Sequence, residues 1–397
     1  MTMDAAKPPD QPASHAAACL GAAARIVIKL GSALVSNADG KPDHARLAEL
    51  AGDLALLRMA DGSRRDIILV SSGAVALGKS TLDLTGTLRL DQKQAAAAVG
   101  QSLLVQAWQQ AFAVHDLTIA QILLTLEDTE DRRRYLNATA TLETLLSLPV
   151  VPLVNENDTI ATAEIRYGDN DRLAAHTAQM TRADLLILLS DIDGLYDRDP
   201  RAIPAANHIP YVDHITDDHQ RAAGTANIKS GVGSGGMATK LHAAQIATRA
   251  GISVIVADGN RDHALMDLQR GTARATLFAP TVKASTARRQ WIAGRQSAAG
   301  SIKVDAGAVR AIENGSSLLA AGITGVAAYT RDKPFRRGDL VDILSPEQSK
   351  IALGLCTFDH GTLQRIKGCQ TGQIMDILGE THTGVVVHRN DLVLAGP

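Results

Sequence analysis

The sequence predicts an α/β protein in which a mostly parallel open sheet carries helices on both faces, followed by a small β-rich domain. Two observations predict this class. Between Arg25 and Ala257, short runs of Val, Ile and Leu alternate with longer amphipathic segments, which is typical of a parallel sheet covered on both faces. After Ala279, short β-like runs are separated by glycines, which is typical of a second, smaller β domain.

The individual elements follow from the period of the apolar residues. In the first domain, strands are predicted at Arg25–Leu30, Asp66–Val70, Thr118–Leu124, Val150–Val154, Ala183–Leu189 and Ile252–Ala257. Helices are predicted at Asp43–Ala60, Asp91–His115, Asp128–Leu148, Leu173–Met180 and Met237–Ala250. In the second domain, strands are predicted at Ile302–Val304, Leu340–Leu344, Ile351–Leu355 and Val385–His388.

A chain of 397 residues exceeds one ordinary core, so we expect about two or three domains. We predict a flexible N-terminal tail at residues 1–24, because this segment is rich in Ala and Pro and lacks the basic start and Leu-rich centre of an export signal. The α/β domain is predicted at residues 25–283, a linker helix at 284–299 and the β-rich domain at 300–397.

Composition excludes several classes of protein. Hydrophobic residues make up 45% and charged residues 21% of the chain, as in ordinary globular proteins. A net charge of -2 gives no global field that would attract nucleic acid or acidic lipid. The three cysteines form no C-x-x-C pair, which fits a reducing compartment. No apolar run approaches the ~20 residues that span a bilayer. We therefore expect a cytoplasmic protein without a membrane or nucleic-acid partner.

Two polar clusters, Asn155–Asp158 and Gly168–Asp171, follow the predicted strand Val150–Val154. In open α/β sheets the ligand crevice lies at the carboxyl ends of the strands, so this position indicates a binding site. Asn and Asp are also common turn and N-cap residues, which leaves a purely local role open. The two roles are compatible, because a carboxylate fixed by the backbone is a preorganised ligand.

Other strand ends also carry small or polar residues, including Gly31, Ser72 and Ser190–Asp191. Along one parallel sheet they would meet at a single crevice. Lys29 is the charged residue in the run Ile26–Leu30. A buried lysine is costly unless it meets an opposite charge, so a polyphosphate is an attractive partner. The alternative is a lysine whose ammonium group reaches solvent at the strand end.

A dense glycine cluster spans residues 231–236 and leads into the predicted helix that contains Lys240. It matches G-x-G-x-x-G, but it follows a polar segment instead of a strand, so we do not interpret it as a dinucleotide fingerprint. Exposed N–H groups at a helix start suit an anion, and Lys240 could turn back toward it. The alternative is an ordinary surface loop.

Six motifs together resemble the amino-acid kinase family. They are Val27–Ser32, Ser71–Ala74, Asn155–Asp158, Gly168–Asp171, Ser190–Asp191 through Gly194–Tyr196, and Gly235–Lys240. Gly315–Leu319 and Arg336–Asp339 resemble a PUA domain. The resemblance extends from about Arg25 to the C-terminus. It implies the amino-acid kinase fold for the first domain and a PUA-like fold for the second.

The resemblance implies transfer of the γ-phosphoryl group of ATP, with Mg²⁺, to the γ-carboxylate of L-glutamate, the first step of proline synthesis. The implied catalytic residues are Lys29 and Lys240. The implied nucleotide-binding residues are Lys29, Gly31, Ser190, Asp191, Ser234, Gly235, Gly236, Met237, Ala238, Thr239 and Lys240. The implied glutamate-binding residues are Ser72, Asp158 and Asn170, with Asp169 and Asp171 beside them. Feedback inhibition by proline is also implied, and we expect a homo-oligomer.

The chemistry fits these residue types. A glutamate γ-carboxylate has a pKa of about 4.3 and is already a nucleophile at neutral pH, so no general base is needed. Alternatives remain. Another acceptor, such as aspartate, acetylglutamate, carbamate or a nucleoside monophosphate, would suit the same fold, although the acidic clusters favour a substrate with a free ammonium. An RNA-binding protein acting through the second domain is a further alternative, but residues 300–397 hold ten Lys/Arg against ten Asp/Glu.

Overall fold

The computed structural model describes residues 15–59, 62–161, 169–224, 236–282, 298–330, 332, 334–379 and 384–395. The chain divides into two compact units, residues 1–129 with 138–282 and residues 130–137 with 283–397. The predicted linker helix, residues 284–299, lies outside the described residues except for its last two positions. Its existence and the predicted domain boundaries therefore stay predictions.

The first unit alternates strands and helices as expected. Its strands are β1 (Arg25–Leu30), β2 (Asp66–Ser71), β3 (Thr118–Leu124), β4 (Val150–Glu156), β5 (Leu185–Ser190), β6 (Leu195–Tyr196), β7 (His208–Ile209), β8 (Tyr211–Val212), β9 (Ser253–Asp258) and β10 (Ala275–Phe278). Its helices are α1 (His15–Ala22), α2 (His44–Arg58), α3 (Ala74–Thr81), α4 (Leu90–Ala113), α5 (Leu126–Glu130), α6 (Arg132–Ser147, of which residues 132–137 fall in the second unit), α7 (Asp169–Thr181), α8 (Asp217–Ala222), α9 (Met237–Arg249) and α10 (Ala264–Arg270).

Eight strands form the main sheet in the order β3-β4-β2-β1-β5-β9-β10-β8. The six from β3 to β9 are parallel to one another, and β10 runs antiparallel to β9. The predicted mostly parallel sheet is confirmed. Strand β1 lies between β2 and β5: β2, β3 and β4 lie on one side of β1, and the chain then crosses to β5 on the other side. Ligand crevices open at such a switch point, beyond the carboxyl ends of the strands.

The alternation of side chains along β1 separates the core from the site. Ile26, Ile28 and Leu30 belong to one apolar core together with Leu50 of α2 and Leu104 of α4. Because successive side chains of a strand point to opposite faces, Lys29 points away from that core. Lys29 lies on the opposite face of the sheet, where its ammonium group contacts Asp171 of α7.

Helices α3 and α4 approach each other closely at two glycines. A Cβ at Gly78 would lie 1.7 Å from the carbonyl oxygen of Ala96, and a Cβ at Gly100 would lie 1.7 Å from that of Ala74. Only glycine fits at either position. Helix α3 begins directly after the Ser71–Gly73 turn, so this contact fixes the helix next to the end of β2.

The prediction of a flexible tail over residues 1–24 is corrected for residues 15–22, which form α1. Ala16, Ala17 and Leu20 are buried, and Ala16 and Leu20 join the main core. The physical reason is that alanine has the highest helix propensity and little bulk, so an Ala-rich segment needs few large apolar residues to pack as a helix.

Further differences concern the boundaries of helices and strands and the elements without a clear period. The predicted helix Asp128–Leu148 is two helices, α5 and α6. In the first unit the sequence patterns also missed α3, α8, α10, β10 and the short strands β6, β7 and β8. Strand β4 continues to Glu156, so Asn155 lies within the strand end and not after it. No described helix is long and apolar enough to cross a membrane.

The second unit is a small sheet covered by short helices. Its elements are β11 (Gly300–Val304), α11 (Ala306–Glu313), β12 (Leu318–Leu319), β13 (Ile323–Ala328), β14 (Leu340–Leu344), β15 (Lys350–Leu355), α12 (His360–Ile366), α13 (Thr371–Leu378), β16 (Val385–Val387) and β17 (Leu392–Leu394). The sheet order is β13-β11-β14-β15-β17, and only the β11–β14 pair is parallel. Its core includes Ile302, Phe335 and Ile343.

Candidate active site

Lys29, Asp171 and Lys240 form a buried charged group. The Nζ atom of Lys29 lies 2.6 Å from Oδ1 of Asp171, and the Nζ atom of Lys240 lies 3.4 Å from Oδ2. Lys29 and Lys240 are 6% and 3% exposed, and Asp171 is fully buried. The Thr239 hydroxyl also donates to Oδ2 at 2.8 Å. The group comes from the end of β1, the start of α7 and the first turn of α9.

The charges in this group do not cancel. Burial raises the pKa of Asp171, but Lys29 and Lys240 outweigh it and hold the pKa at about 2. Burial lowers the pKa of Lys240, which Asp171 partly opposes. The ionised Asp171 therefore stabilises the fold above its ordinary pKa of 3.8, and this contribution is lost as the pH falls through about 2. Asp191 raises the pKa of Lys240 in the same direction as Asp171 does.

A second group of polar side chains adjoins the first along α7. The Nδ2 atom of Asn170 lies 2.8 Å from Oγ of Ser72 and 3.1 Å from Oδ1 of Asn155. Asn155 Oδ1 also accepts from the Glu156 backbone N–H. Among the described residues, Nδ2 of Asn155 and Oδ1 of Asn170 are buried without a hydrogen-bond partner. Buried polar atoms are normally paired, so this pair offers one donor and one acceptor to a ligand.

The other predicted nucleotide residues in the described part of the structure lie at two neighbouring strand ends and at the start of α9. Ser190 closes β5, its carbonyl accepts from the Gly259 N–H at 2.7 Å, and its hydroxyl donates to Asp191 at 3.0 Å. Gly31 follows β1 with ordinary extended backbone. Gly236 is the N-cap of α9, with Met237, Ala238, Thr239 and Lys240 in the first turn. Helix starts of this kind present free N–H groups to anions.

The structure describes only some of the remaining predicted site residues. Asp158 lies in the turn after β4 and is half-buried. Asp169 is the first residue of α7, but its side chain is outside the described part of the structure, as are Ser234 and Gly235. Asp171 differs from the expectation that it helps to hold a substrate ammonium, because its carboxylate is engaged by the two lysines and Thr239.

Asn155 was not among the predicted site residues, although it stands in the polar cluster that drew attention. The sequence signal was present, because an asparagine near the end of a buried apolar strand needs a polar partner for its amide group. Within the described ranges, no group of three or more His, Cys, Asp or Glu side chains could hold a metal ion.

Comparison with known proteins identifies the family. A sequence profile of the Amino acid kinase family matches residues 24–258, which is more than half of the chain. The chain belongs to the amino acid kinase family. A profile of the PUA domain matches residues 300–378, so the second unit of this amino acid kinase is a PUA domain. Both resemblances indicated by the motifs are confirmed.

Three relatives that match over nearly their whole length are named glutamate 5-kinase. A glutamate 5-kinase of Rhodopseudomonas palustris (strain BisB18) is 48% identical over 372 residues, 93% of this chain and 96% of that protein. A glutamate 5-kinase of Caulobacter vibrioides (strain NA1000 / CB15N) is 49% identical over 376 residues, 94% of this chain and 97% of that protein. That of Paramagnetospirillum magneticum (strain ATCC 700264 / AMB-1) is 47% identical over 378 residues, 95% and 99% of the two chains.

Proposed function

We propose that this protein is a glutamate 5-kinase, which transfers the γ-phosphoryl group of ATP to the γ-carboxylate of L-glutamate. The observation that supports the reaction type is the buried group of two lysines against one carboxylate. Identities of 47–49% with proteins named glutamate 5-kinase, over almost the whole chain, support the acceptor. The products are L-glutamyl 5-phosphate and ADP.

Lys29 and Lys240 are the groups that hold the phosphates of ATP. Both are buried cations that contact Asp171, and Asp191 also raises the pKa of Lys240. Two cations held at one place suit the several negative charges of a polyphosphate. Cations held in place before the reaction stabilise the charge of a transferring phosphoryl group without reorganisation. Asp171 keeps both ammonium groups in position when no nucleotide is bound.

The cluster of Asn155, Asn170 and Ser72 is the glutamate side of the site. The unpaired Nδ2 of Asn155 can donate to a carboxylate, and the unpaired Oδ1 of Asn170 can accept from an ammonium. These are the two charged groups that every α-amino acid carries. Asp158, half-buried in the turn after β4, adds a negative charge three residues after Asn155.

The chemistry needs no proton transfer. An oxygen of the γ-carboxylate forms a bond to the γ-phosphorus, and the bond from that phosphorus to the β,γ-bridging oxygen breaks, which releases ADP. The carboxylate is ionised at neutral pH because its ordinary pKa is about 4.3. Bound Mg²⁺ would supply further charge neutralisation at the phosphates. The described residues offer no acidic cluster for a metal, so we assign no protein ligand to it.

The acceptor is tested by measuring ADP release with each candidate and trapping the acyl phosphate with hydroxylamine. We expect release that depends on L-glutamate and Mg²⁺, together with a glutamyl hydroxamate. If ADP release does not depend on glutamate but rises with aspartate, acetylglutamate or a nucleoside monophosphate, glutamate is not the acceptor, although the protein is still a kinase.

Inhibition by proline and assembly of several copies belong to the same proposal. A glutamate KM that does not change with proline, or a monomeric mass by light scattering, would contradict them.

A further inference from the structure

One face of helix α2 carries Arg46, Glu49 and Asp53, which are spaced by three and four residues. Side chains at this spacing lie on the same side of a helix. All three contact residues 259–263, the connection between β9 and α10. This connection starts at the carboxyl end of β9, which pairs with β5 through Ser190 and Asp258.

Arg46 binds the backbone of this connection. Its Nη2 atom donates to the carbonyl oxygens of Gly259 and Arg261, the latter at 2.7 Å, and its Nη1 atom donates to Glu49 Oε1 at 2.6 Å. The planar guanidinium can serve several acceptors in fixed directions, which an ammonium cannot do. One side chain therefore fixes two carbonyls of the same turn.

Glu49 and Asp53 extend the contact along α2. Glu49 Oε1 accepts from the backbone N–H of His263 at 2.8 Å, and Asp53 Oδ1 lies 2.9 Å from Nδ1 of His263. Asp53 is 1% exposed. The connection is thus held at both of its ends, by Arg46 at Gly259 and by the two carboxylates at His263.

Gly259 joins this clamp to the nucleotide side of the site. Its N–H donates to the carbonyl of Ser190 at 2.7 Å, while its own carbonyl accepts from Arg46. A Cβ at Gly259 would lie 2.5 Å from Cδ1 of Leu34, so the turn also rests against the segment that follows Gly31. Residue 259 therefore contacts both Ser190 and the segment after β1.

We propose that Arg46 is a positioning residue for the nucleotide, acting through Gly259 on Ser190. The inference rests on the proposed function, which places Ser190 at the nucleotide. Asn155 and Asn170 form hydrogen bonds with Ser72, the Glu156 backbone and each other, so loss of Arg46 affects nucleotide affinity and leaves glutamate affinity in place.

The test compares Arg46→Met, Arg46→Lys and Arg58→Met in the full-length protein. Arg58 is the matched control: it is a buried arginine on the same helix, and it donates to the carbonyl of Val150 at 3.2 Å, at the opposite end of the sheet. The measurements are the Kd of AMP-PNP without an acceptor, and the KM values for ATP and glutamate. A purely structural role would change both KM values or only the melting temperature.

We expect Arg46→Met to weaken AMP-PNP binding and raise the ATP KM about tenfold, equivalent to about 1.4 kcal/mol. Arg46→Lys has a smaller effect, the Arg58→Met values stay near wild type, and the glutamate KM stays unchanged throughout. The inference is overturned if Arg46→Met binds AMP-PNP as wild type does, or if Arg58→Met is equally impaired. If Arg46→Met does not fold, Arg46→Lys decides by the same comparison.

The two proposals fail in different ways. Wild-type protein that does not bind AMP-PNP overturns the proposed function and this inference with it. Wild-type protein that binds AMP-PNP but transfers nothing to glutamate overturns only the acceptor. Wild-type binding that survives Arg46→Met overturns only the role of Arg46.

Discussion

At the scale of single residues, Asp171 carries one negative charge against the two positive charges of Lys29 and Lys240, in a position closed to solvent. Removing one partner of a buried ion pair leaves an uncompensated charge and costs about 3–5 kcal/mol. The arrangement is therefore sensitive to every one of its members, and their substitutions separate the two sides of the site.

Lysine and asparagine substitutions should give opposite kinetic patterns. Lys240→Met removes a cation from the transferring phosphoryl group, so we expect kcat to fall by a factor on the order of 100 or more, with a small change in the glutamate KM. Asn170→Ala leaves the cations in place and removes a contact to glutamate, so the glutamate KM rises. Steady-state kinetics with both substrates varied gives these values. The reverse pattern would mean that the nucleotide and glutamate sides are exchanged.

Asp171→Asn should shift the pH profile of turnover. The Asp171 carboxylate raises the pKa of Lys240 against burial and against Lys29, which both lower it. Without that charge Lys240 loses its proton at a lower pH, so the alkaline limb of the kcat profile moves toward neutral pH. If turnover is too slow, AMP-PNP affinity against pH gives the same limb. Asn170→Ala is the control, and coinciding limbs for wild type and Asp171→Asn would contradict the assignment.

The sequence predicted the residue types of the site better than their partners. Lys29 was predicted to need an anion because it interrupts an apolar strand, and the structure supplies Asp171. The partner itself was not predictable, because residues 29, 171 and 240 are brought together only by the order of strands and the angles of helices. For the same reason the hydrogen bond between Gly259 and Ser190 could not be predicted from the sequence.

At the scale of secondary-structure elements, the close contact of α3 and α4 makes a stability prediction. Gly100→Ala places a Cβ 1.7 Å from the Ala74 carbonyl, so the helices must separate, and we expect a loss of about 1–3 kcal/mol or more in the free energy of unfolding. Urea denaturation measures it. The control is Gly21→Ala in α1, where nothing lies within 4 Å of the added Cβ. This substitution should raise the free energy of unfolding by about 0.5–1 kcal/mol, because alanine favours the helix over glycine. Equal stabilities of Gly100→Ala and wild type would contradict the contact.

Elements with a strong apolar period were predictable, and elements without one were not. The six parallel strands, β1 to β5 and β9, were predicted from runs of Val, Ile and Leu. Helix α1 has three buried residues, of which two are alanines, so its apolar face is weak in any hydrophobicity pattern. Helix α3 depends on Gly78 lying against α4, and a glycine in a helix reads locally as a break.

At the scale of the whole molecule, charge predicts the behaviour with RNA. The chain has a net charge of -2, and residues 300–397 have equal numbers of basic and acidic residues, so there is no excess of cations to replace the counterions of a phosphate backbone. We expect no stable complex with structured RNA at physiological salt in a gel-shift assay. A complex whose affinity falls steeply with added salt would contradict this and would give the PUA domain a nucleic-acid partner.

The burial of Lys29 and Lys240 also decides how the protein responds to amine chemistry. Reagents for reductive methylation or acylation must reach a free amine, and these two are 6% and 3% exposed, whereas Lys41 and Lys367 are exposed. Surface amines should therefore react first, while the site is spared. Coupling the protein to a support, or methylating it for crystal growth, should leave its turnover intact.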